Sequence, residues 1–128
     1  MSKIHSFSGR EQSYDWEDVI AKQYEDGAAM GASGKIMIGK EDGAQNFVFR
    51  YFLIQPGGHS TLDDRHAHDH GVMILHGRAV LMLGQEKYEV GPRDIIYISP
   101  WEPHSFETIG EDPLGFLCVI PNKDLLGV

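Results

Sequence analysis

Apolar and polar residues alternate with a period of two along most of this chain. The pattern starts in Lys35-Ile36-Met37-Ile38 and Asn46-Phe47-Val48-Phe49-Arg50-Tyr51-Phe52-Leu53-Ile54. That period belongs to a strand, whose successive side chains leave opposite faces. Further short runs follow at Gly71 to His76, Arg78 to Leu83, Lys87 to Val90, Asp94 to Ile98, His104 to Thr108 and Leu114 to Ile120. They are divided by Pro56-Gly57-Gly58, Gly77, Gly84-Gln85-Glu86, Gly91-Pro92-Arg93, Ser99-Pro100-Trp101 and Gly110-Glu111-Asp112-Pro113. Short strands separated by turn residues predict an all-β sandwich or barrel rather than βαβ units. One stretch departs from the pattern. Asp15 to Tyr24 spaces Trp16, Ile20 and Tyr24 four apart behind early acidic residues, which predicts a short amphipathic helix with an Asp cap. Residues 1 to 14, polar and poor in branched apolar side chains, are expected to be loosely held, and Gly27 to Gly34 to be flexible. The expected division is an N-terminal segment with the short helix over residues 1–32 and a barrel domain over residues 33–128.

Composition narrows the function classes. A length of 128 residues suits one domain with a real core. The net charge of −8, with no basic run, offers no electrostatic footprint for nucleic acid. Cys118, the single cysteine, lies in Phe116-Leu117-Cys118-Val119-Ile120 and reads as a buried small hydrophobe in a reducing compartment. The first ten residues lack the apolar core of a signal peptide, and no apolar run approaches the ~20 residues that cross a bilayer. A soluble cytoplasmic protein without nucleic-acid or membrane partners is expected.

The chemistry is concentrated in histidine. His66, His68 and His70 fall within five residues, and His104 follows in Ser99-Pro100-Trp101-Glu102-Pro103-His104. Imidazole is the commonest protein metal ligand, and one tight cluster plus one distant histidine is a site that a barrel can assemble. The thiol lies outside the cluster, which argues against structural zinc of the cysteine type. His59 and His76 flank glycine turns and read as solvated loop residues.

From Gly34 to Pro121 the chain resembles the cupin superfamily, in particular small single-domain members with histidine in place of the glutamate ligand of the first motif. The resemblance rests on Ile38-Gly39-Lys40-Glu41-Asp42-Gly43-Ala44, Pro56-Gly57-Gly58-His59, Met73-Ile74-Leu75-His76-Gly77 and Pro113-Leu114-Gly115-Phe116-Leu117-Cys118. It implies a double-stranded β-helix, or jelly-roll barrel. Gly77 matches the turn glycine of the first motif, and His70 then takes the third ligand slot. Counting back over the family's three-residue turn gives His66 and Asp64. The competing alignment keeps a literal His66-x-His68 pair and makes the set four histidines with His70 and His104. The first is preferred, because a one-residue turn is shorter than ordinary hairpins allow. An extra residue between Gly58 and Gly77, Asp63 or Asp64, leaves open which aspartate faces the ion. The second motif keeps His104 but has Arg93, Ser99 and Trp101 where the family usually has glycine, proline and glycine, and Thr108 where it has asparagine.

Parity along the strands puts Val72 and Ile74 on the face of His70 and Phe106 on the face of His104, making them candidate pocket residues, with Trp101 at the rim. The resemblance implies one divalent transition metal, Fe, Mn, Ni, Cu or Zn, and a small-molecule substrate or ligand. An oxygen-dependent, dioxygenase-like oxidation leads the expected functions. A metal-dependent isomerase or lyase and a non-catalytic binding module are the alternatives. A homodimer is expected from the family and from the apolar residues on both faces of Phe47 to Ile54.

Overall fold

The computed structural model describes residues 2–24, 29–62 and 64–122. Nine strands run through them: β1 Ile20–Tyr24, β2 Met30–Ile38, β3 Phe47–His59, β4 His70–His76, β5 Arg78–Leu83, β6 Glu86–Val90, β7 Ile95–Ile98, β8 His104–Ile109 and β9 Leu114–Pro121. All pairings are antiparallel, in the order β6-β5-β8-β3-β9-β4-β7, with β2 also on β3 and β1 on β2. The all-β expectation holds, in a curled sheet. β3 is its pivot: Phe47 to Ile54 pair with β9, while His59 at its far end pairs with Glu107 of β8.

The alternation read in the sequence decides what faces inward. On β4 His70, Val72 and Ile74 are buried, and Val72 and Ile74 share one core with Phe116 and Cys118 of β9 and Ala79, Leu81 and Phe106 of the opposing half. Phe52 and Phe106 both stack on Phe116, at 5.3 and 4.5 Å between ring centroids. Each large apolar side chain buried this fully stabilises the fold by about 1.5–3 kcal/mol. The β4–β5 turn needs Gly77, whose φ is 76° and whose added Cβ would run into the Pro113 carbonyl.

Three expectations need correction. First, the described residues contain no α-helix; Ile20–Tyr24 is β1, paired from Ile20↔Ile36 to Tyr24↔Ala32, and Trp16 bridges Phe7. A ten-residue helix has little stability of its own, and Asp18, at φ 61°, interrupts it, whereas pairing with β2 supplies a full ladder. Second, the N-terminal residues are packed. Tyr14 and Trp16 meet Phe7 edge to face at 5.2 and 5.7 Å, Tyr14 stacks 5.9 Å from Tyr51, and His5 bonds Asp42 at 2.6 Å. This segment covers part of the outer face of β3, whose apolar residues had suggested a partner. Third, Pro56-Gly57-Gly58 lies inside β3, as a bulge between the pairs Ala32↔Ile54 and Met30↔His59. The stretch read as flexible belongs to β2 from Met30 onward; Gly27 and Ala28 lie outside the described residues, as does Asp63.

His76 is also not solvated. A register shift between Ile74 and His76 brings it beside Gly115, where a Cβ on residue 115 would overlap its ring. Its Nδ1–H donates to the Pro113 carbonyl at 3.0 Å, and the Tyr51 hydroxyl donates to Nε2 at 2.6 Å. Burial depresses the His76 pKa and pushes the Tyr51 phenol up to about 12.

Candidate metal centre

His66, His70 and His104 offer ligand atoms that all lie within 4.8 Å of one another. Each arrives differently. His70 opens β4 opposite Ile98, and His104 opens β8 opposite Leu83. His66 lies on the connection between β3 and β4, which is pinned against β8 and the turn before it by backbone bonds: Ser60 N–H to Phe106 O at 2.8 Å, a reciprocal Asp64–His104 pair at 3.1 and 3.0 Å, and Trp101 N–H to His66 O at 2.7 Å. Residues directly opposite in an antiparallel pair project to one side, so the pair puts the Asp64 carboxylate beside the His104 ring. Asp64 Oδ2 lies 2.9 Å from His66 Nε2 and 3.9 Å from His104 Nε2.

The rings are poised as donors. His104 Nδ1–H donates to the Glu102 carbonyl at 3.0 Å, which fixes the tautomer and leaves Nε2 with a lone pair. Burial, then the fields of His104, His68 and His66, hold His70 down to about 3, with Arg50 adding to the effect. At neutral pH His70 is therefore uncharged. Its buried Nδ1 has no hydrogen-bond partner. A buried imidazole nitrogen without a partner costs about 1–3 kcal/mol, a cost accepted more often at functional sites than in a plain core. Burial pushes the Asp64 carboxyl up, but the bond to His66 and the surrounding imidazoles outweigh it and leave the group below the ordinary carboxylate range. Three imidazoles and a carboxylate are donors that would suit a borderline transition ion.

His68, the alternative ligand, is buried, stacks nearly parallel on His66 at 4.9 Å, lies 4.7 Å from His70, and donates Nδ1–H to the Asp69 carbonyl at 3.2 Å. Val72, Ile74 and Phe106 are buried on the inner face beyond the ligands. Trp101 is 65% exposed, and its backbone rather than its ring is what bonds His66. Arg93 and Trp101, which replace turn glycines, keep the left-handed backbone such turns use, at φ 74° and 64°. Sequence reasoning missed Tyr97, whose hydroxyl donates to Asp69 at 2.9 Å beside the histidine loop, and Arg50 on the inner face of β3. A cavity of about 850 Å³, lined by Phe7, Tyr14, Trp16, Phe49, Leu75 and Leu117, contains none of the three histidines.

A curled antiparallel barrel with three histidines gathered at the start of β4 and β8 defines a class of small barrels with a histidine centre. Residues 50–120 match the Cupin domain family, and the chain belongs to it. It is 39% identical over 111 residues to the 1-methylthio-D-xylulose 5-phosphate methylsulfurylase of Rhodospirillum rubrum, covering 86% of this chain and 70% of the relative. A cupin-2 domain crystal structure from Rhodospirillum rubrum has a TM-score of 0.77 and 34% identity over 90% of this chain and 77% of that one. The polyketide cyclase RemF from Streptomyces resistomycificus has a TM-score of 0.77 and 29% identity over 94% and 79%. Among the described residues no helix is long and apolar enough to cross a membrane.

Proposed function

We propose that this chain is a metal-dependent enzyme acting on a small, oxygen-rich organic molecule, with one divalent transition ion, Fe, Mn, Ni, Cu or Zn, held by His66, His70, His104 and Asp64. The observation that carries the reading is the convergence of His66, His70 and His104, whose ligand atoms all lie within 4.8 Å of one another. When bound, the ion supplies Lewis acidity to a substrate with two neighbouring oxygens. The Glu102 carbonyl orients His104, Asp64 orients His66, and Val72, Ile74 and Phe106 keep the inner side dry. Asp64 rather than His68 is the fourth donor in this proposal, because its Oδ2 reaches toward both His66 and His104.

The relative from Rhodospirillum rubrum is named for a ketose phosphate, and RemF for a cyclisation. Both names favour polarisation of a carbonyl over oxygen insertion, so an isomerase-, lyase- or transferase-like reaction on a keto substrate is the leading form of the proposal. Oxygen-dependent oxidation is the second reading; a histidine-rich centre also suits redox-active ions. Turnover of ketose phosphates by the metal-loaded protein under argon separates the two. Equal rates under argon and air support carbonyl chemistry, oxygen uptake with enediols or catechols supports oxidation, and tight binding without turnover of either class contradicts both in favour of a binding module. The homodimer belongs to the same proposal and is tested by sedimentation equilibrium.

A further inference from the structure

Arg50 is out of place by ordinary rules of burial. It lies on β3 between Val48 and Phe52, which pack against the core, so its side chain enters the barrel. Across the sheet Arg50 is paired with Cys118 and Cys118 with Val72, one inward step along β4 from His70. Its Nη2–H donates to the Cys118 thiol at 3.2 Å, its Cζ sits 4.9 Å over the Phe52 ring, and its buried Nε has no hydrogen-bond partner. It forms no ion pair among the described residues, although the chain carries nineteen acidic side chains. A thiol is a weak acceptor and an aromatic face a weak counter-charge, so this half-buried cation has no strong counter-charge among the described residues.

We infer that Arg50 completes the site as an anion receptor: the guanidinium takes an oxyanion of the substrate, a carboxylate or a phosphate, while the oxygens at the substrate's other end reach the histidine centre. The inference rests on the proposed function for the second half of that statement and stands without it for the first. The cation and the three histidines lie inside the same barrel, with the Phe52 ring fixing one face of the guanidinium. An acid of this kind at the end of a keto substrate would set both orientation and selectivity, since the planar N–H fork of arginine matches carboxylate and phosphate oxygens. Arg50 is a specificity residue in this account, and no proton transfer is assigned to it.

The test is calorimetric titration of inorganic phosphate and of malonate into chelator-treated and Co(II)-loaded protein, for wild type, Arg50→Lys and Arg50→Met. Wild type should bind one of the two anions in the metal-free state, which identifies phosphate or carboxylate as the natural group. Arg50→Met should lose about tenfold or more of that affinity, with Arg50→Lys between them. The Co(II) absorption spectrum without anion should be the same in all three. Arg50→Met should melt no lower than wild type, because it removes a half-buried charge that no carboxylate balances; a structural arginine would lower the melting temperature instead. Equal anion affinity in wild type and Arg50→Met, or no binding of either anion by wild type in either state, overturns the inference. If the protein takes up no Co(II), the metal-centre reading fails, and the metal-free arm still decides the role of Arg50.

Discussion

At the scale of single residues, chemistry and backbone strain separate cleanly. Trp101 occupies a left-handed turn position, costing about 1–2 kcal/mol, while most of its ring remains in solvent. Trp101→Gly should therefore change stability by less than about 1 kcal/mol in urea melts, where loss of a core tryptophan costs about 3–5. The histidines supply a pH prediction. His76 and His70 both have depressed pKa values in the folded chain, His70 at about 3. Their contribution is fully present above the unfolded value near 6.5 and is lost as pH falls, for His70 across the window from 6.5 toward 3. Thermal melts of the metal-free protein should fall steadily below pH 6.5, and His76→Gln, less stable at pH 8, should lose less between pH 6.5 and 5. A melting temperature indifferent to pH over that range would refute the buried neutral histidines. His66, His70 and His104 were legible in the sequence because cluster and spacing announced them. His76 was not, because its burial depends on a bulge in β4 and on Tyr51, a strand away. Arg50 could have been found by parity alone, as the one charged residue among the inward positions of β3.

Among the elements, the strands from β3 to β9 follow the apolar alternation closely, because on a sheet with one buried face a slip of one residue exposes the whole hydrophobic set. The N-terminal third resisted reading for the opposite reason. Trp16, Ile20 and Tyr24 satisfy a helical period, but the short stretch gains more from the β2 edge and from Phe7 and Tyr14 than from its own turns. The Tyr51–His76–Pro113 chain ties this segment to the barrel's outer face. Tyr51→Phe strands the buried His76 acceptor and the Tyr14 N–H, and should cost about 1–3 kcal/mol in denaturant melts. Gly115→Ala, which forces a methyl group into the His76 ring, should be the more damaging of the two. If Gly115→Ala proves the milder, the packing of His76 on β9 is wrong.

For the whole molecule, fold and centre are two halves of one arrangement: the curl of the sheet about β3 brings β4 and β8 together, and the loop laid along β8 supplies His66 and Asp64. An ion bound only by the folded state adds RT ln(1 + [M]/Kd), about 2.7 kcal/mol at a hundredfold excess over Kd, which corresponds to a rise of roughly 10 °C in melting temperature for a domain of this size. Chelator should reverse it. Which ion, and which substrate, were not legible, since several ions share these donors and the fold serves many reactions. The most direct measurement is elemental analysis of untagged protein, wild type against His104→Ala and His68→Ala, with circular dichroism to verify the fold. About one first-row transition ion per wild-type chain, lost in folded His104→Ala and retained in His68→Ala, is the predicted result. A folded wild type that carries none, and takes up none when offered each ion in turn, would contradict the metal centre itself.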